Sequence, residues 1–208
     1  MLRYLKDYAN AITAVGYIFA AIGLFLAING HVELGTAAML WTWFLDHWDG
    51  HVARKTKDRR RPGAADFGKS FDGFGDFVHG ILFPSIVIIL LGKGSVLSFV
   101  AVAALIMAGA VRLSYFENVG LTADAKFIGV PVSYDAPLLA LLLLARPMFS
   151  IERFQISLPI AFIILAALHV TTAIKVPSIR GRAIPFATVF AVAISAVLAV
   201  GGNDAKPL

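Results

Sequence analysis

Long apolar stretches separated by short polar loops run along almost the whole chain. A helix needs about 20 predominantly apolar residues to cross the hydrocarbon core of a bilayer. The pattern therefore predicts an all-α polytopic membrane protein with six or seven transmembrane helices, depending on whether the last stretch crosses. We expect the spans at residues 11–29, 33–55, 66–91, 96–116, 132–145, 156–174 and 184–200.

The composition supports this class and excludes several others. Hydrophobic residues make up 59% of the chain and charged residues only 15%, whereas about 25% of the residues of an average soluble domain are charged. The spans leave no room for a soluble domain, so we expect residues 1–208 to form a single integral membrane domain. The chain has no cysteine, which excludes disulfides, thiolate metal sites and a cysteine nucleophile.

The positive charges are distributed unevenly between the loops. The formal net charge is +5, but the lysines and arginines fall in short inter-span loops, where the positive-inside rule accounts for them without nucleic-acid binding. If the spans alternate, one side carries Arg3, Lys6, the cluster at 54–61, Lys126, Lys175, Arg180 and Arg182, and the other carries Lys93, Arg146, Arg153 and Lys206. We expect the first side to face the cytoplasm of a bacterial or archaeal cell.

Four aspartates beside this basic cluster form two pairs, Asp46 with Asp49 and Asp72 with Asp76. Spacings of three and four residues place each pair on one helix face, so two facing helices can present all four carboxylates to one point. Charged side chains are costly in spans and usually serve a site or a pathway. Carboxylate oxygens suit Mg²⁺ and similar cations, and two such ions can clamp both oxygens of a phosphoryl transfer. In an alternative interpretation, Asp49 and Asp72 are only paired helix-end residues.

Small residues and histidines surround the aspartates. Gly50, Gly68, Gly73 and Gly75, with Ala53, keep one helix face open to a ligand or to close helix packing. His47 and His51 have a spacing suited to zinc, but no third nitrogen or sulfur ligand lies near them in the sequence. His79 is three residues beyond Asp76 and close enough to line the same pocket.

The string DxxDGxxAR followed by GxxxDxxxD resembles the signature of the CDP-alcohol phosphotransferases, membrane enzymes that make phospholipids from CDP-activated precursors. Its eight fixed positions are occupied here by Asp46, Asp49, Gly50, Ala53, Arg54, Gly68, Asp72 and Asp76. The sequence departs from the family pattern in one respect, because 13 residues separate Arg54 from Gly68 where the family usually has eight. We expect this insertion to lengthen a surface turn.

The resemblance implies a mechanism and a set of ligands. CDP-diacylglycerol would bind with its pyrophosphate on two Mg²⁺ or Mn²⁺ ions held by Asp46, Asp49, Asp72 and Asp76. Gly50, Ala53, Arg54 and Gly68 would line the CDP side. Asp76 would also act as the general base that activates the acceptor hydroxyl, and CMP would leave. The family resemblance further implies a homodimer in contact with membrane lipids.

Within the family the sequence is most similar to the phosphatidylserine synthases. The run Asp66–Asp72 is similar to their DFGKxLD run, and the segments at 10–13, 112–113 and 127–132 also resemble theirs. The segment at 77–84 departs, so the acceptor is L-serine or another small alcohol such as glycerol phosphate, inositol phosphate or choline. A serine carboxylate needs a cation, for which Arg112 and Lys126 are candidates, although either residue also fits a topogenic or lipid-anchoring charge. A transporter or cation channel is disfavoured because the aspartates cluster at one interface.

Overall fold

The computed structural model describes residues 1–179 and 181–204. In this part of the chain seven long helical segments follow one another: α1 (Tyr8–Ile28), α2 (Val32–Lys55), α3 (Ala64–Leu91), α4 (Val96–Val119), α5 (Asp135–Ala145), α6 (Ile151–Val170) and α7 (Ile184–Asp204). Of the basic residues assigned to loops above, Arg180 and Lys206 lie outside the described residues, as does the side chain of Arg182.

Five of these helices are long and apolar enough to cross a membrane: α1, α3, α4, α6 and the Ile184–Gly201 part of α7. The predicted spans 33–55 and 132–145 are helical too. The second half of α2 contains several polar residues, however, and α5 has only 11 residues. At 1.5 Å per residue α5 covers about 16 Å, half of the hydrocarbon core. Single 3₁₀ turns at Val132–Tyr134 and Arg146–Met148 lengthen it at both ends. The predicted all-α polytopic membrane fold is confirmed.

Helix α3 changes its winding in the middle. It is α-helical over Ala64–Asp76, π-helical over Phe77–Leu82 and α-helical again over Phe83–Leu91. Pro84 has no N–H to donate to the carbonyl four residues earlier, so the regular hydrogen-bond ladder cannot continue through this point. The π segment begins directly after Asp76 and therefore sets how the following side chains face the bundle.

Helices α1 and α2 cross with their backbones almost in contact. A Cβ added to Gly23 would lie 2.9 Å from the carbonyl oxygen of Gly35, and one added to Gly35 would lie 2.6 Å from that of Gly23. Small residues at a helix crossing allow this approach in a membrane, where dispersion contacts and not the hydrophobic effect hold helices together. The crossing fixes the position of α1 against the aspartates of α2.

The core lies between the helices, and apolar side chains also cover the outside. Met39 of α2, Phe83 of α3, Leu139 of α5 and Phe162 of α6 are fully buried in one continuous cluster. Large apolar side chains on α1, α4 and α7 are exposed, among them Phe25, Phe99, Met107, Phe186 and Val189. An exposed apolar belt of this kind is expected where helices face lipid.

Two short strands, which the sequence did not predict, close one end of the bundle. β1 (Lys126–Ile128) pairs antiparallel with β2 (Lys175–Pro177), so the α4–α5 loop is bound to the α6–α7 loop. Helix α6 runs from Ile151 to Val170 instead of the expected 156–174, and β2 takes up the chain after its C-terminal end. Its start is set by Ser150, whose side chain accepts a hydrogen bond from the backbone N–H of Arg153.

Candidate active site

The structure brings the four predicted aspartates together. Asp46 and Asp49 of α2 and Asp72 and Asp76 of α3 line one cavity of about 170 Å³ at the end of the bundle that β1 and β2 close. Asp46 and Asp72 lie on different helices and both line this cavity. The expectation that two facing helices present both pairs to one point therefore agrees with the geometry.

The carboxylates have the surroundings of a cation site. Asp49 is 5% exposed, and the Oδ1 atoms of Asp72 and Asp76 are buried without a hydrogen-bond partner among the described residues. A buried carboxylate oxygen that lacks a partner is costly unless a cation or a proton satisfies it. Hard divalent cations take carboxylate oxygens as ligands, so these residues fit a divalent metal.

Helix α1 supplies two further polar groups that the sequence analysis did not assign to the site. The Thr13 hydroxyl donates a 2.5 Å hydrogen bond to Oδ2 of Asp49, and the Tyr17 hydroxyl donates a 2.7 Å hydrogen bond to the carbonyl of Phe71. Thr13 lies 36 positions before Asp49 in the sequence. The sequence does show Thr13 as a polar residue inside an apolar span, but the spacing of residues does not predict that its partner is Asp49.

His79 completes the cluster from the π segment of α3. Its side chain is fully buried, and its Nε2 lies 3.2 Å from Oδ1 of Asp76 and 3.9 Å from Oδ1 of Asp46. Ligand atoms of these three residues all lie within 4.8 Å of one another. His47 lines the aspartate cavity, and its Nδ1 lies 2.9 Å from the carbonyl oxygen of Trp43 and 3.5 Å from Oδ2 of Asp46. Among the described residues, the group of three possible metal ligands contains His79 and neither His47 nor His51.

The residues expected on the CDP side divide between two adjoining cavities. Gly50 and Arg54 line the aspartate cavity, whereas Ala53 and Gly68 line a second cavity of about 170 Å³. Asp49, Gly50 and Asp72 border both cavities. Together the two adjoining cavities form a recess next to the aspartates, and all four residues line it.

The insertion between Arg54 and Gly68 is anchored to the start of α1. Arg60 donates hydrogen bonds of 3.0 and 3.1 Å to the carboxylate of Asp7 and one of 3.0 Å to Oδ1 of Asn10. Arg60 is largely buried and lines the second cavity together with Asn10 and Gly68. The insertion does form the predicted surface turn, but part of it also forms a wall of the recess.

Arg112 and Lys126, the two candidate acceptor cations, have different surroundings. Arg112 of α4 is 4% exposed and lines the aspartate cavity, with Cζ 5.5 Å from the centre of the Phe127 ring. Lys126 is half-exposed and lies 2.7 Å from Oδ2 of Asp124. Hydrogen bonds from Lys126 and Thr122 lower the pKa of the Asp124 carboxyl, so that it stays ionised beside the lysine. Among the described residues, the side chains that line the aspartate cavity include Arg112 but not Lys126.

A buried pair of Asp135 and His169 holds one wall of the aspartate cavity in place. Asp135, the first residue of α5, lies 3.1 Å through Oδ1 from Nε2 of His169 near the end of α6, and both side chains are fully buried. Nδ1 of His169 is 2.8 Å from the carbonyl oxygen of Val130. The pair thereby holds the segment at 130–134, four residues of which line the cavity. No pattern in the sequence predicts this pair, because its members lie 34 residues apart.

A groove leads from the aspartates to the lipid-facing surface between α3 and α4. It has a volume of about 520 Å³ and is bordered by Asp72 and Asp76 at one end and by the apolar side chains of Phe74, Phe77 and Leu113. Lys69 lies at its rim, where its ammonium group is 3.3 Å from Oε1 of Glu117. A groove of this shape can take an acyl chain while the polar end of the same molecule reaches the carboxylates.

The fold and the site define a polytopic helical membrane protein with a carboxylate cluster beside a buried guanidinium group. Comparison with protein-family models gives a match to the CDP-alcohol phosphatidyltransferase model over residues 6–200. The chain belongs to the CDP-alcohol phosphatidyltransferase family, and it is an integral membrane enzyme of phospholipid biosynthesis. This family is generally dependent on divalent metals, which agrees with the Asp46, Asp76 and His79 group. A search of curated proteins found no significant match.

Proposed function

We propose that the protein transfers the phosphatidyl group of CDP-diacylglycerol to the hydroxyl of L-serine and releases CMP. The observation that carries the choice of serine is Arg112, a buried guanidinium that lines the same cavity as the four aspartates. The resemblance of Asp66–Asp72 to the corresponding run of phosphatidylserine synthases points in the same direction.

The donor fits the recess and the groove together. We assign Asp46, Asp49, Asp72 and Asp76 as the residues that hold two divalent ions, Mg²⁺ or Mn²⁺. When bound, such ions neutralise the pyrophosphate and stabilise the charge that develops on the transferred phosphoryl group. Gly50, Ala53, Arg54 and Gly68 then line the nucleotide, while the groove between α3 and α4 takes an acyl chain.

The aspartate cavity favours a small acceptor with one anionic group. Its volume of about 170 Å³ is below the range of about 300–1,000 Å³ that is common for drug-sized ligands. Among the described residues, the lining carries two guanidinium groups, Arg54 and Arg112, and the first is assigned to the nucleotide. Arg112 alone matches a serine carboxylate through a planar bidentate contact. A doubly charged phosphate would need more cationic partners, and choline offers no anion to bind.

Asp76 is the proposed general base. Its carboxylate takes the proton of the serine hydroxyl as that oxygen attacks the phosphorus attached to diacylglycerol. The bond from this phosphorus to the CMP oxygen breaks, and CMP leaves with the bonding electrons. A positioned base of this kind contributes about 10²–10⁴-fold to the rate. Asp76 borders both the aspartate cavity and the lipid groove, which is the position that the step requires.

We further propose that the site faces the cytoplasm. The end of the bundle that contains the aspartates also gathers the 3₁₀ helix Leu2–Lys6, the basic cluster at 54–61 and strands β1 and β2 with Lys126 and Lys175. At the other end Lys93 and Arg146 line a separate cavity with Glu33. The positive-inside rule then places the aspartate end in the cytoplasm. We also propose that the active protein is a homodimer, as the resemblance to the family implies.

The test is CMP release by the purified protein in detergent with CDP-diacylglycerol and either Mg²⁺ or Mn²⁺. L-serine, glycerol 3-phosphate, inositol phosphate and choline are supplied in parallel. We expect release with serine, and a loss of about 10²–10⁴-fold in the Asp76→Asn variant. Asp124→Asn is the matched control because Asp124 is exposed and ion-paired with Lys126, and it should keep full activity.

The other outcomes separate the alternatives. Release with one of the other alcohols keeps the chemistry and contradicts serine as the acceptor. If no alcohol supports release with either metal, the transferase proposal fails, and ion flux through reconstituted vesicles becomes the relevant measurement.

A further inference from the structure

We propose that His79 supplies a nitrogen ligand to the divalent metal centre beside Asp46 and Asp76, which gives the centre a preference for transition ions such as Mn²⁺ over Mg²⁺. The inference deepens the proposed function and rests on its assignment of a metal centre to the aspartates. It adds His79, which is not one of the four aspartates, as a metal ligand, and it predicts which metal the centre prefers.

The first argument is that His79 is buried without hydrogen bonds. Its side chain is 0% exposed, and neither Nδ1 nor Nε2 has a hydrogen-bond partner among the described residues. A neutral imidazole has one donor and one acceptor nitrogen, and buried polar atoms are nearly always paired. The protein gives Nε2 two carboxylate neighbours but no hydrogen bond of regular geometry, and a metal ion held by those carboxylates would accept the lone pair of this nitrogen.

The second argument is the spacing of the ligand atoms. Nε2 of His79 lies 3.2 Å from Oδ1 of Asp76 and 3.9 Å from Oδ1 of Asp46. The 3.2 Å contact does not have hydrogen-bond geometry, since both of its atoms remain without a partner. Ligand atoms at about 2.1 Å from an octahedral ion are about 3 Å apart when adjacent and about 4.2 Å apart when opposite. The observed separations of 3.2 and 3.9 Å lie between these two values.

The third argument is the position of His79 in the helix. It follows Asp76 by three residues, within a segment that is π-helical from Phe77 to Leu82. A carboxylate followed three residues later by histidine is a spacing with which helix bundles hold metal ions in their cores. Isolated π-helical turns are also frequent at functional sites. Here the change from α to π winding directly after Asp76 brings the imidazole of His79 next to the Asp76 carboxylate.

The consequence follows from ligand chemistry. Mg²⁺ prefers oxygen ligands and retains its water molecules. Imidazole instead suits transition ions, and their affinity for a given site increases from Mn²⁺ to Cu²⁺. A centre of carboxylates alone gives little reason to prefer Mn²⁺. A centre with one imidazole nitrogen binds Mn²⁺ more tightly than Mg²⁺. The opposing interpretation is that His79 only positions Asp76, without touching the metal.

The test uses Mn²⁺ alone as the probe, without substrate. The protein in detergent is prepared with natural and with ¹⁵N-labelled histidine, and pulsed electron paramagnetic resonance of bound Mn²⁺ reports any coordinated nitrogen. We expect a ¹⁴N signal that converts to ¹⁵N on labelling. In His79→Asn the signal should be lost and the Kd of Mn²⁺ should rise about tenfold or more, with a smaller change for Mg²⁺ in competition. His47→Asn is the control and should keep the signal.

If His79→Asn does not fold, the labelling arm applied to the wild type and to His47→Asn stays decisive, because His47 is the rival histidine, with Nδ1 3.5 Å from Oδ2 of Asp46. Bound Mn²⁺ without a histidine nitrogen overturns the inference, as does a signal that survives in His79→Asn and vanishes in His47→Asn. Either result leaves the proposed transferase intact if CMP release is still observed. If the wild-type protein binds no Mn²⁺ at all, the inference and the assignment of the metal centre fail together.

Discussion

The hydroxyl of Thr13 donates a 2.5 Å hydrogen bond to Oδ2 of Asp49, and both side chains are buried. This bond joins α1 to the carboxylate cluster of α2. It occupies one oxygen of Asp49 and thereby fixes the direction of the other. Hydrogen bonds to charged groups contribute about 1.5–3 kcal/mol, so the first helix takes part in arranging the proposed metal ligands.

We therefore expect Thr13→Val, which keeps the shape but removes the hydroxyl, to weaken metal dependence. A loss of about 1.4 kcal/mol corresponds to a tenfold change in an equilibrium constant, so the Mn²⁺ concentration for half-maximal CMP release should rise about tenfold. Thr13→Ser keeps a hydroxyl and should stay close to the wild type. If the valine variant shows an unchanged metal dependence, the hydrogen bond does not serve the site.

The two candidate acceptor cations lead to a second prediction. Arg112→Ala should raise the KM for serine about 10–100-fold, because a buried charge-assisted contact of about 1.5–3 kcal/mol is lost. The KM for CDP-diacylglycerol should change little. Initial rates of CMP release at varied serine and at varied CDP-diacylglycerol concentration measure the two constants.

Lys126→Ala is the matched control for Arg112→Ala. Lys126 is half-exposed and paired with Asp124, and a pair of exposed charges contributes little, so the KM for serine should stay within about twofold of the wild type. A larger effect at Lys126 than at Arg112 would contradict the assignment of the acceptor site.

The sequence predicts the fold and part of the site because both depend on local patterns. The apolar stretches give the helices, and the spacing of Asp46, Asp49, Asp72 and Asp76 gives two carboxylate pairs that the structure brings to one cavity. The contacts that complete the site join distant positions, as between Thr13 and Asp49, which periodicity does not encode. The three-residue strands β1 and β2 are too short to show an alternating pattern.

The position of His79 shows the same limit within one helix. Its position three residues after Asp76 places it near the pocket, but the change to π winding at Phe77 decides which atoms it meets. The insertion before Gly68 is comparable, since its length is visible in the sequence while the bond from Arg60 to Asp7 depends on the tertiary fold.

The pair of Asp135 and His169 leads to a prediction about stability. Asp135→Ala leaves the buried imidazole of His169 without its carboxylate, and breaking a buried pair in this way costs about 3–5 kcal/mol. Thermal unfolding in detergent, followed by tryptophan fluorescence, should show a clearly lowered midpoint. Glu33→Gln is the control, because the pair of Glu33 with Arg146 is partly exposed and should contribute about 1 kcal/mol or less. Equal midpoints for the two variants would contradict this account.

Two glycines of α3 give a final matched pair of variants. A Cβ at Gly68 would collide with Oδ1 of Asn10 and lie 3.0 Å from Nη2 of Arg60, whereas a Cβ at Gly73 would meet nothing within 4 Å. Alanine is favoured over glycine in a helix by about 0.5–1 kcal/mol, so Gly73→Ala should be neutral or stabilising. Gly68→Ala should instead displace Arg60 and Asn10 from the second cavity.

The nucleotide side of the recess should therefore respond to Gly68→Ala alone. We expect the KM for CDP-diacylglycerol to rise in this variant while the KM for serine is unchanged, because Gly68 and Arg60 border the second cavity and not the one that contains Arg112. Kinetics of CMP release at varied donor concentration measure the change. Gly73 lines the groove proposed for the acyl chain, but a Cβ added to it would lie in open space, so Gly73→Ala should leave the donor KM close to that of the wild type. An unchanged donor KM in Gly68→Ala would contradict the assignment of Gly68 to the CDP side.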